Sequence, residues 1–276
     1  MRNERIGGKR MSVLEVRDID ACSEYFVGTS SHVGESEEID ACARKRVAWL
    51  RQMYDRGLRA KVAMLEGNPV GFIYVMPIGI CPWGPIGQGL AVVPCLWVLN
   101  EVRGRGIGSR LLAAAEDDAR QQGRTGIAAV AYQHDFWFMP VSFFEICGFS
   151  HAKRRAKEVI VWKIFDSSAE APRFLERNYH FRPVEGKVVL DLFWNTFCQT
   201  SLVEAQRVRE VAAEFEDSVV LKEYCADDRA TFCLHQIPRG IFVNGKEIGW
   251  GYEAPKDGMR AAIRQAESAV AGLAKR

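Results

Sequence analysis

The stretch VRGRGIGSRLLAAAE, residues 102–116, has glycine at positions 104, 106 and 108 and then begins an apolar helical pattern. Glycine lets consecutive backbone N–H groups converge without a Cβ in the way. The first turn of a helix adds partial positive charge at the same point. We therefore predict that this turn holds a phosphate group. The alternative is a plain strand–helix turn, but three glycines in five residues would weaken a purely structural helix start.

Two well-known kinds of phosphate-binding loop do not fit this turn. A nucleoside triphosphate loop ends in Gly-Lys-Ser/Thr, whereas Gly108 is followed by Ser109 and Arg110. A dinucleotide loop has a third glycine where this chain has Ser109, and an acidic residue about twenty positions further on, where this chain has the apolar run GIAAVA. Residues 103–108 instead have the form Arg/Gln-x-x-Gly-x-Gly/Ala, between a strand pattern and a helix pattern.

The segments around the turn alternate between strand and helix patterns, which indicates an α/β fold. Residues 37–57 are predicted to be helical because apolar side chains recur at helical spacing, at Ile39, Cys42, Val47, Leu50 and Tyr54. The strand patterns at 59–66 and 69–77 are joined by Gly67-Asn68, a two-residue hairpin signal.

The form of residues 103–108 resembles the acetyl-CoA site of the GNAT N-acetyltransferases. The segment FFEICGF, residues 143–149, is similar to the YEKxGF segment of that family and lies downstream in the expected order. The resemblance covers roughly residues 11–165 and implies a mixed sheet with flanking helices, with acetyl-CoA as co-substrate. It also implies that the turn binds the pyrophosphate and that the preceding strand pairs with the pantetheine arm. The implied cofactor-binding residues are Leu96, Trp97, Val98, Arg103, Gly104, Arg105, Gly106, Ile107, Gly108 and Ser109.

The resemblance implies direct transfer of an acetyl group to an amine, which depends mostly on placing the reactants and polarising the carbonyl. The family's tyrosine, which often protonates the leaving thiolate, is replaced here by Phe144. His134, with Asp135 beside it, is a candidate base because histidine titrates near neutrality. The alternative is a solvated loop histidine. Trp83 is a candidate substrate-binding residue in a loop rich in glycine and proline, or else it covers the edge of the core.

The composition of the chain changes at the start of its second half. Residues 166–187 are polar and contain two prolines, so we predict a GNAT domain over 1–165, a linker over 166–184 and a second domain over 185–276. The segments DLFWNTFCQTS and HQIPRGIFVNGKEI resemble the active-site and cis-proline segments of thioredoxin. The second domain is therefore expected to be a smaller, thioredoxin-like α/β domain, and the arrangement resembles acetyltransferases of the YoaP type.

By this resemblance Cys198 takes the place of the thioredoxin nucleophile, and Pro238 takes the place of the cis-proline. Ser201 replaces the second cysteine, and a serine cannot close a disulfide, so dithiol cycling through this pair is excluded. Cys198 at a helix N-terminus is expected to be a reactive thiol that forms mixed disulfides or works with Cys225 or Cys233. The alternative is an inherited domain that only packs or binds.

Composition narrows the class of protein. The chain has 276 residues and a formal net charge of +2, which fits two soluble domains and gives no electrostatic reason to expect nucleic acid or an anionic membrane as partner. No apolar run has the length of a membrane span, and the first ten residues lack the apolar core of a secretory signal. The eight cysteines are scattered, without zinc-ligand spacing, which predicts no metal site and a reduced, cytoplasmic protein.

Three functional hypotheses follow. The first is an N-acetyltransferase that moves acetyl from acetyl-CoA to a small-molecule or peptide amine. The second is a monothiol binding or redox protein that uses Cys198, with an N-terminal half that only binds CoA. In the third, the second domain is a docking surface that presents an acceptor to the transferase.

Overall fold

The computed structural model of the protein describes residues 13–29, 32, 34–133, 138–215, 217–248 and 255–273. The strands within these ranges are β1 (Leu14–Asp18), β2 (Arg59–Leu65), β3 (Asn68–Pro77), β4 (Ala91–Val98), β5 (Gly126–Tyr132), β6 (Ser150–Arg155), β7 (Glu158–Ile164), β8 (Val188–Trp194), β9 (Val219–Cys225), β10 (Gly240–Val243) and β11 (Lys246–Glu247). The α-helices are α1 (Glu24–Gly28), α2 (Glu37–Tyr54), α3 (Ile107–Gln121), α4 (Val141–Ile146), α5 (Gln199–Ala213), α6 (Arg229–His235) and α7 (Lys256–Leu273).

The first seven strands form one mixed sheet in the order β1-β2-β3-β4-β5-β7-β6. All neighbours are antiparallel except β4 and β5, which are parallel. One face of the sheet packs under α3 and α4, and the other under α1 and α2. The sequence-based prediction of a mixed α/β sheet with flanking helices is confirmed for this part of the chain.

The buried face of α2 differs from the predicted one. Ile39, Cys42 and Leu50 are buried as predicted, but the stripe continues through Arg46 and not through Val47. Arg46 is only 2% exposed, so a cation occupies a position that periodicity reserves for an apolar side chain.

The hairpin between β2 and β3 is confirmed, but its turn lies one residue earlier than predicted. Leu65 pairs with Asn68, and the two central residues, Glu66 and Gly67, both have positive φ. This is the type I′ geometry, whose twist matches that of the flanking strands.

The last four strands form a second mixed sheet in the order β11-β10-β8-β9. Strands β8 and β9 are parallel and lie on either side of α5 in the sequence, whereas β10 runs antiparallel to β8 and to β11. Helices α5 and α7 share a core with this sheet. The chain between β7 and β8 contains no helix or strand, although Arg173 forms an isolated β-bridge with Ile86 of the first half.

We call strands β1–β7 with helices α1–α4 the first unit, and strands β8–β11 with helices α5–α7 the second unit. Helix α5 of the second unit packs on helix α2 of the first unit. The side-chain amide of Gln199 donates a hydrogen bond to the carbonyl oxygen of Ile39 at 3.0 Å. Arg207 forms a two-pronged ion pair with Glu38, with N–O distances of 2.9 and 2.6 Å. These contacts fix α5 beside the sheet that carries the glycine turn.

An aromatic contact extends the interface between the two units into the hydrophobic core of the first sheet. Phe197, immediately before α5, is 3% exposed and packs among core residues of the first sheet. Its ring centroid lies 5.2 Å from that of Tyr74 and 6.2 Å from that of Trp49, both in edge-on geometry. The two units therefore share part of one hydrophobic core.

Candidate active site

The glycine turn has a backbone that only glycine adopts without strain. Gly104 and Gly106 have φ values of 76° and 73°, and Gly106 is the N-cap of α3. A Cβ at either position would meet no atom of the described residues within 4 Å, so the turn has an open surface in this part of the structure. The helix therefore begins at an uncovered bend.

The backbone amides that follow Gly106 are placed to bind an anion. Arg110 N–H donates the first helical hydrogen bond, to the Gly106 carbonyl at 3.1 Å. The amides of Ile107, Gly108 and Ser109 precede that bond and have no acceptor within the helix. They lie at the positive end of the helix dipole. The residues of the turn therefore fit a pyrophosphate group.

The two arginines of the turn differ in placement. Arg103 Nε donates a hydrogen bond to the Val98 carbonyl at 3.1 Å, and the residue lines a cavity beside β4. Arg105 is exposed. Gly108 lies on the other side of the turn, where a Cβ would come within 3.1 Å of the Phe143 ring, so the start of α3 packs closely on α4.

Strand β4 separates from β5 before it reaches the turn. The two strands pair only at Ala91 and Val92, and the rest of β4 continues without β5 as a partner. A bulge on β4 lies between its pairs with Tyr74 and Met76 of β3, which bends the strand. Leu96–Val98 pair only with β3, so the β4 backbone edge that faces β5 is available to an extended ligand.

A cavity of about 630 Å³ lies beside the separated part of β4. Its lining combines Trp97 and Arg103 with Trp83 of the glycine- and proline-rich loop, which the sequence analysis singled out as a substrate-binding candidate. Residues of the second unit complete the wall, namely Phe197, Cys198, Gln199, Thr200 and Arg239. The structure therefore brings the predicted cofactor strand, Trp83 and Cys198 to one cavity.

Cys198 is the N-cap of α5 and is held by its backbone, because its N–H donates to Asn195 Oδ1 at 2.8 Å. The Arg239 guanidinium lies 3.7 Å from its sulfur. Ser201 Oγ, at the position of the second thioredoxin cysteine, accepts the Asn195 N–H at 3.0 Å. A structural hydrogen bond thus occupies the position where a dithiol protein would have its second thiol.

The expectation of a cis bond before Pro238 is wrong. Among the described residues the one cis peptide bond is Gly84–Pro85. The Pro238 carbonyl is instead fixed by the side-chain amide of Asn195, at 2.7 Å.

All eight cysteines carry free thiols. Burial raises the pKa of Cys95, which lines the cavity, to about 12 and that of Cys81 to about 11. Burial and the neighbouring Asp227 raise the pKa of the Cys225 thiol to about 11. These three thiols are protonated at neutral pH and are weak nucleophiles.

The structure describes only one of two positions that the sequence analysis discussed for catalysis: Phe144, at the position of the family tyrosine, is described, and the predicted base His134 is not. His134 and Asp135 lie outside the described residues. Phe144 is fully buried, with its ring 5.1 Å from Phe143 and 5.4 Å from Phe149, so this position belongs to the core under α4.

Three basic cavity residues were missed by the sequence analysis, namely Arg239, described above, His32 and Arg46. His32 lines the cavity, and its Nδ1 lies 2.7 Å from Glu35 Oε1. The Arg46 guanidinium lies beside the rings of both Tyr74 and Phe197, at 5.0 and 5.4 Å from their centroids, and donates to main-chain carbonyls of α1. A signal for Arg46 was present, because it follows Cys42 and precedes Leu50 by four residues each on the apolar stripe of α2.

Two kinds of feature are absent from the described part of the chain. Within it, no helix is both long enough and apolar enough to cross a membrane. No cluster of three or more His, Cys, Asp or Glu side chains in the same ranges is placed to hold a metal ion.

A comparison with known protein families gives a match in the first half of the chain. Residues 19–149, just under half of the chain, match the model of the acetyltransferase (GNAT) family. This segment is therefore similar in sequence to the GNAT acetyltransferases, and its mixed sheet with flanking helices agrees with that similarity. The chain matches no curated protein.

The solved structures similar to the chain cover a little over half of it. The PaiA N-acetyltransferase of Thermoplasma acidophilum, solved with coenzyme A, is 17% identical, with 55% of this chain and 99% of that chain covered and a TM-score of 0.40. The ribosomal-protein-alanine N-acetyltransferase of Brucella melitensis is 18% identical, with 55% and 99% covered and a TM-score of 0.41. A GNAT-family acetyltransferase of Staphylococcus aureus is 15% identical, with 56% and 100% covered and a TM-score of 0.41. These TM-scores are below 0.5, and the family assignment depends on the family model.

Proposed function

We propose that the protein is an acetyl-CoA-dependent N-acetyltransferase that transfers the acetyl group directly to an amine. The observation that carries the proposal is the open turn at Gly104 and Gly106, whose uncapped amides lie at the end of a strand that has separated from its neighbour. The match of residues 19–149 to the acetyltransferase family supports the same conclusion. Acetyl-CoA, when bound, supplies an acetyl thioester as the acyl donor.

In this proposal the turn and the strand divide the binding of the co-substrate between them. The amides of Ile107, Gly108 and Ser109, with the Arg105 side chain, hold the pyrophosphate. The edge of Leu96–Val98 that faces away from β3, where the Val98 carbonyl also accepts the Arg103 hydrogen bond, pairs with the pantetheine arm. The cavity beside Trp97 then receives the amine, so that both reactants are held together before reaction.

Few of the described residues that line the cavity can donate or accept a proton, which suits direct transfer. Phe144 cannot protonate a leaving thiolate, so that proton comes from solvent or from the amine itself. His32 is a candidate base because it lines the cavity and Glu35 fixes its ring through Nδ1. His134 stays a second candidate on sequence grounds.

The proposal includes a division into a GNAT domain over 1–165, a linker over 166–184 and a thioredoxin-like domain over 185–276. The strand–helix–strand start, the antiparallel β10–β11 hairpin and the closing helix α7 support the thioredoxin-like part. The kinship with YoaP-type enzymes and a cytoplasmic location belong to the same proposal.

The alternative, a monothiol binding or redox protein, has less support. The Arg239 guanidinium beside the Cys198 sulfur favours it. Against it, Ser201 has a structural hydrogen bond, and the high pKa of Cys225 makes that thiol a poor resolving nucleophile. We therefore assign Cys198 to the wall of the acceptor cavity.

Coenzyme A binding to Gly106→Ala tests the proposal. The substitution places a methyl group on the open face of the turn, and we expect the CoA dissociation constant, measured by calorimetry, to rise at least tenfold. Gly123→Ala is a matched control, because Gly123 follows the other end of α3, has φ of 65° and has equally open surroundings. Both variants place alanine in the left-handed region, at a similar cost of about 1–2 kcal/mol in stability.

The control should bind CoA within about twofold of the wild type. The wild type should also transfer acetyl to at least one member of an amine panel, as followed by mass spectrometry. If the wild type does not bind CoA, or if both variants weaken binding equally, the turn is not the co-substrate site.

A further inference from the structure

A second cavity, of about 470 Å³, lies next to the cavity beside β4. Its walls come from β5, from the β6–β7 hairpin, from residues 174–177 and from the segment that follows α6. Among the described lining residues of the two cavities, Trp83 is the one that belongs to both. Trp83 therefore stands at the boundary between the two spaces.

The second unit reaches the same boundary from the other side. The adjacent residues Pro238 and Arg239 line different cavities, because Pro238 lines the second cavity and Arg239 lines the cavity beside β4. The Arg239 guanidinium lies 5.2 Å from the centroid of the Trp83 ring. The partition between the cavities therefore consists of Trp83 from the first unit and residues 238–239 from the second unit.

The loop that carries Trp83 is held by the segment that connects the two units. The backbone of Ile86 exchanges two hydrogen bonds with that of Arg173, with N–O distances of 3.0 and 2.8 Å. A Cβ at Gly84 would come within 3.0 Å of the Leu175 side chain, so the backbone next to Trp83 packs directly on the same segment. These contacts fix the position of the loop and present Trp83 as a wall of the cavity.

The rest of the lining beside β4 is largely apolar and aromatic. Its apolar members among the described residues are Phe72, Pro94, Cys95, Trp97, Phe138 and Phe197. Such a lining favours an apolar ligand body, because burial of apolar surface contributes roughly 25 cal/mol per Å². The volume of about 630 Å³ is in the range of small-molecule sites.

We infer that Trp83 sets the size of the acceptor, because it closes the acceptor cavity toward the second cavity and so selects compact amines with an apolar body. This inference rests on the proposed acetyltransferase function. In that function the pyrophosphate lies at the turn after β4, so the pantetheine arm runs back along the strand and its thioester end lies toward Pro94 and Cys95, which line the cavity. The acceptor body fills the remaining space up to Trp83, and a longer body meets the indole ring.

The transfer step is the same for every acceptor that the cavity takes. The amine nitrogen bonds to the acetyl carbon and the carbon–sulfur bond breaks. The proton lost by nitrogen ends on the released thiol. Trp83 takes no part in this step and acts on specificity alone.

The test compares two product analogues, N-benzylacetamide and the longer N-(4-phenylbutyl)acetamide, by their binding to the full chain in calorimetry. We expect the wild type to bind the shorter compound at least tenfold more tightly. Trp83→Ala removes the ring between the cavities, so this variant should bind the longer compound at least as tightly as the shorter one. Trp83→Phe keeps an aromatic wall and should retain at least a threefold preference for the shorter compound.

Two further variants make the comparison specific. Trp162→Ala is a matched control, because Trp162 is also half-buried but lies on β7, outside the described lining of both cavities. It should keep the tenfold preference of the wild type. Val130 lines the second cavity, so Val130→Phe added to Trp83→Ala should fill that cavity and restore the preference for the shorter compound. Circular dichroism checks that each variant is folded, and Trp83→Leu replaces Trp83→Ala if the latter is not.

Equal binding of the two compounds by the wild type, or no binding of the shorter one at millimolar concentration, would overturn the inference. So would an unchanged preference in Trp83→Ala, or a double variant that still binds the longer compound as tightly as the shorter one. Any of these results with CoA binding intact would leave the acetyltransferase function standing. A preference that depends on Trp83 in a protein that does not bind CoA would support the partition and overturn the acetyltransferase proposal.

Discussion

At the scale of the residue, the candidate site depends on polar groups in positions where the pattern of the sequence predicts apolar ones. Arg46 occupies the apolar stripe of α2, and Glu204 is buried on α5. The glycine turn was visible in the sequence because its chemistry is local, whereas His32 and Arg239 were not. Those two residues are separated by more than 200 positions, and only the folded chain brings them to one cavity.

Glu204→Gln is expected to stabilise the protein, and increasingly so as the pH rises from 5.5 to 7.5. The native carboxyl has a pKa of about 8 against an ordinary 4.5, so between these values the folded protein keeps a proton that the unfolded chain releases. The free energy of unfolding of the wild type therefore falls with pH in this window, by up to about 1.4 kcal/mol per unit from this group. Urea denaturation at several pH values measures it.

Glu210→Gln is the control for the same helix. Hydrogen bonds from Lys256 and Gln206 lower the pKa of Glu210, so its stabilising effect is complete above its ordinary pKa and is lost only as the pH falls below that range. Its variant should show a difference from the wild type that is constant between pH 5.5 and 7.5. A constant difference for Glu204→Gln as well would mean that Glu204 is ionised in the native protein.

At the scale of the element, periodicity predicted most of what the structure contains. The two strands of the β2–β3 hairpin were predicted to within one residue, and strand β4 and helix α3 lie on either side of the glycine turn, as the strand and helix patterns there predict. Helix α6 was not predicted. It has only seven residues, and its start depends on Asp228, whose carboxylate accepts hydrogen bonds from Ala230 and Thr231 N–H at 2.7 and 3.1 Å.

The contact between helices α2 and α5 leads to a prediction for Glu38→Gln. The substitution removes the charge that pairs with Arg207 in a mostly buried, two-pronged ion pair. We expect the free energy of unfolding to fall by about 1–3 kcal/mol, because the mostly buried Arg207 guanidinium loses its two-pronged hydrogen bond to the Glu38 carboxylate. Equilibrium denaturation in urea measures the change.

Glu37→Gln separates the ion pair from the helix dipole. Glu37 is exposed in the same first turn of α2, so its substitution removes the same charge near the positive end of the helix. Its effect should be only a few tenths to about 1 kcal/mol. If the two variants were equally destabilised, the Arg207 contact would contribute nothing to the joint between the units.

At the scale of the whole molecule, the relation between the two units was the part that the sequence could not reveal. The polar, proline-containing segment after Phe165 predicted a second unit. No local pattern indicated that Phe197 would pack on Tyr74 or that Gln199 would donate a hydrogen bond to the carbonyl of Ile39. Contacts of this kind depend on surfaces that exist only after each unit has folded.

Hydrogen exchange with and without CoA tests whether the units unfold together. At a CoA concentration of one hundred times its dissociation constant, ligand binding stabilises the native state by about 2.7 kcal/mol, which slows exchange through global unfolding about a hundredfold. Because the units share core contacts through Phe197, amides of β8 in the second sheet should slow as much as those of β3. Slowing confined to β3 would show that the first unit unfolds alone.

The wall that the second unit contributes to the cavity has an evolutionary consequence. Trp97 and Arg239 face the same space but lie 142 positions apart in the chain (239 − 97). In the proposed acetyltransferase, adaptation to a differently shaped acceptor would need compatible replacements in both halves. Exchange of the second half by recombination would change the acceptor specificity, whereas the binding of the acyl donor at the glycine turn would be retained.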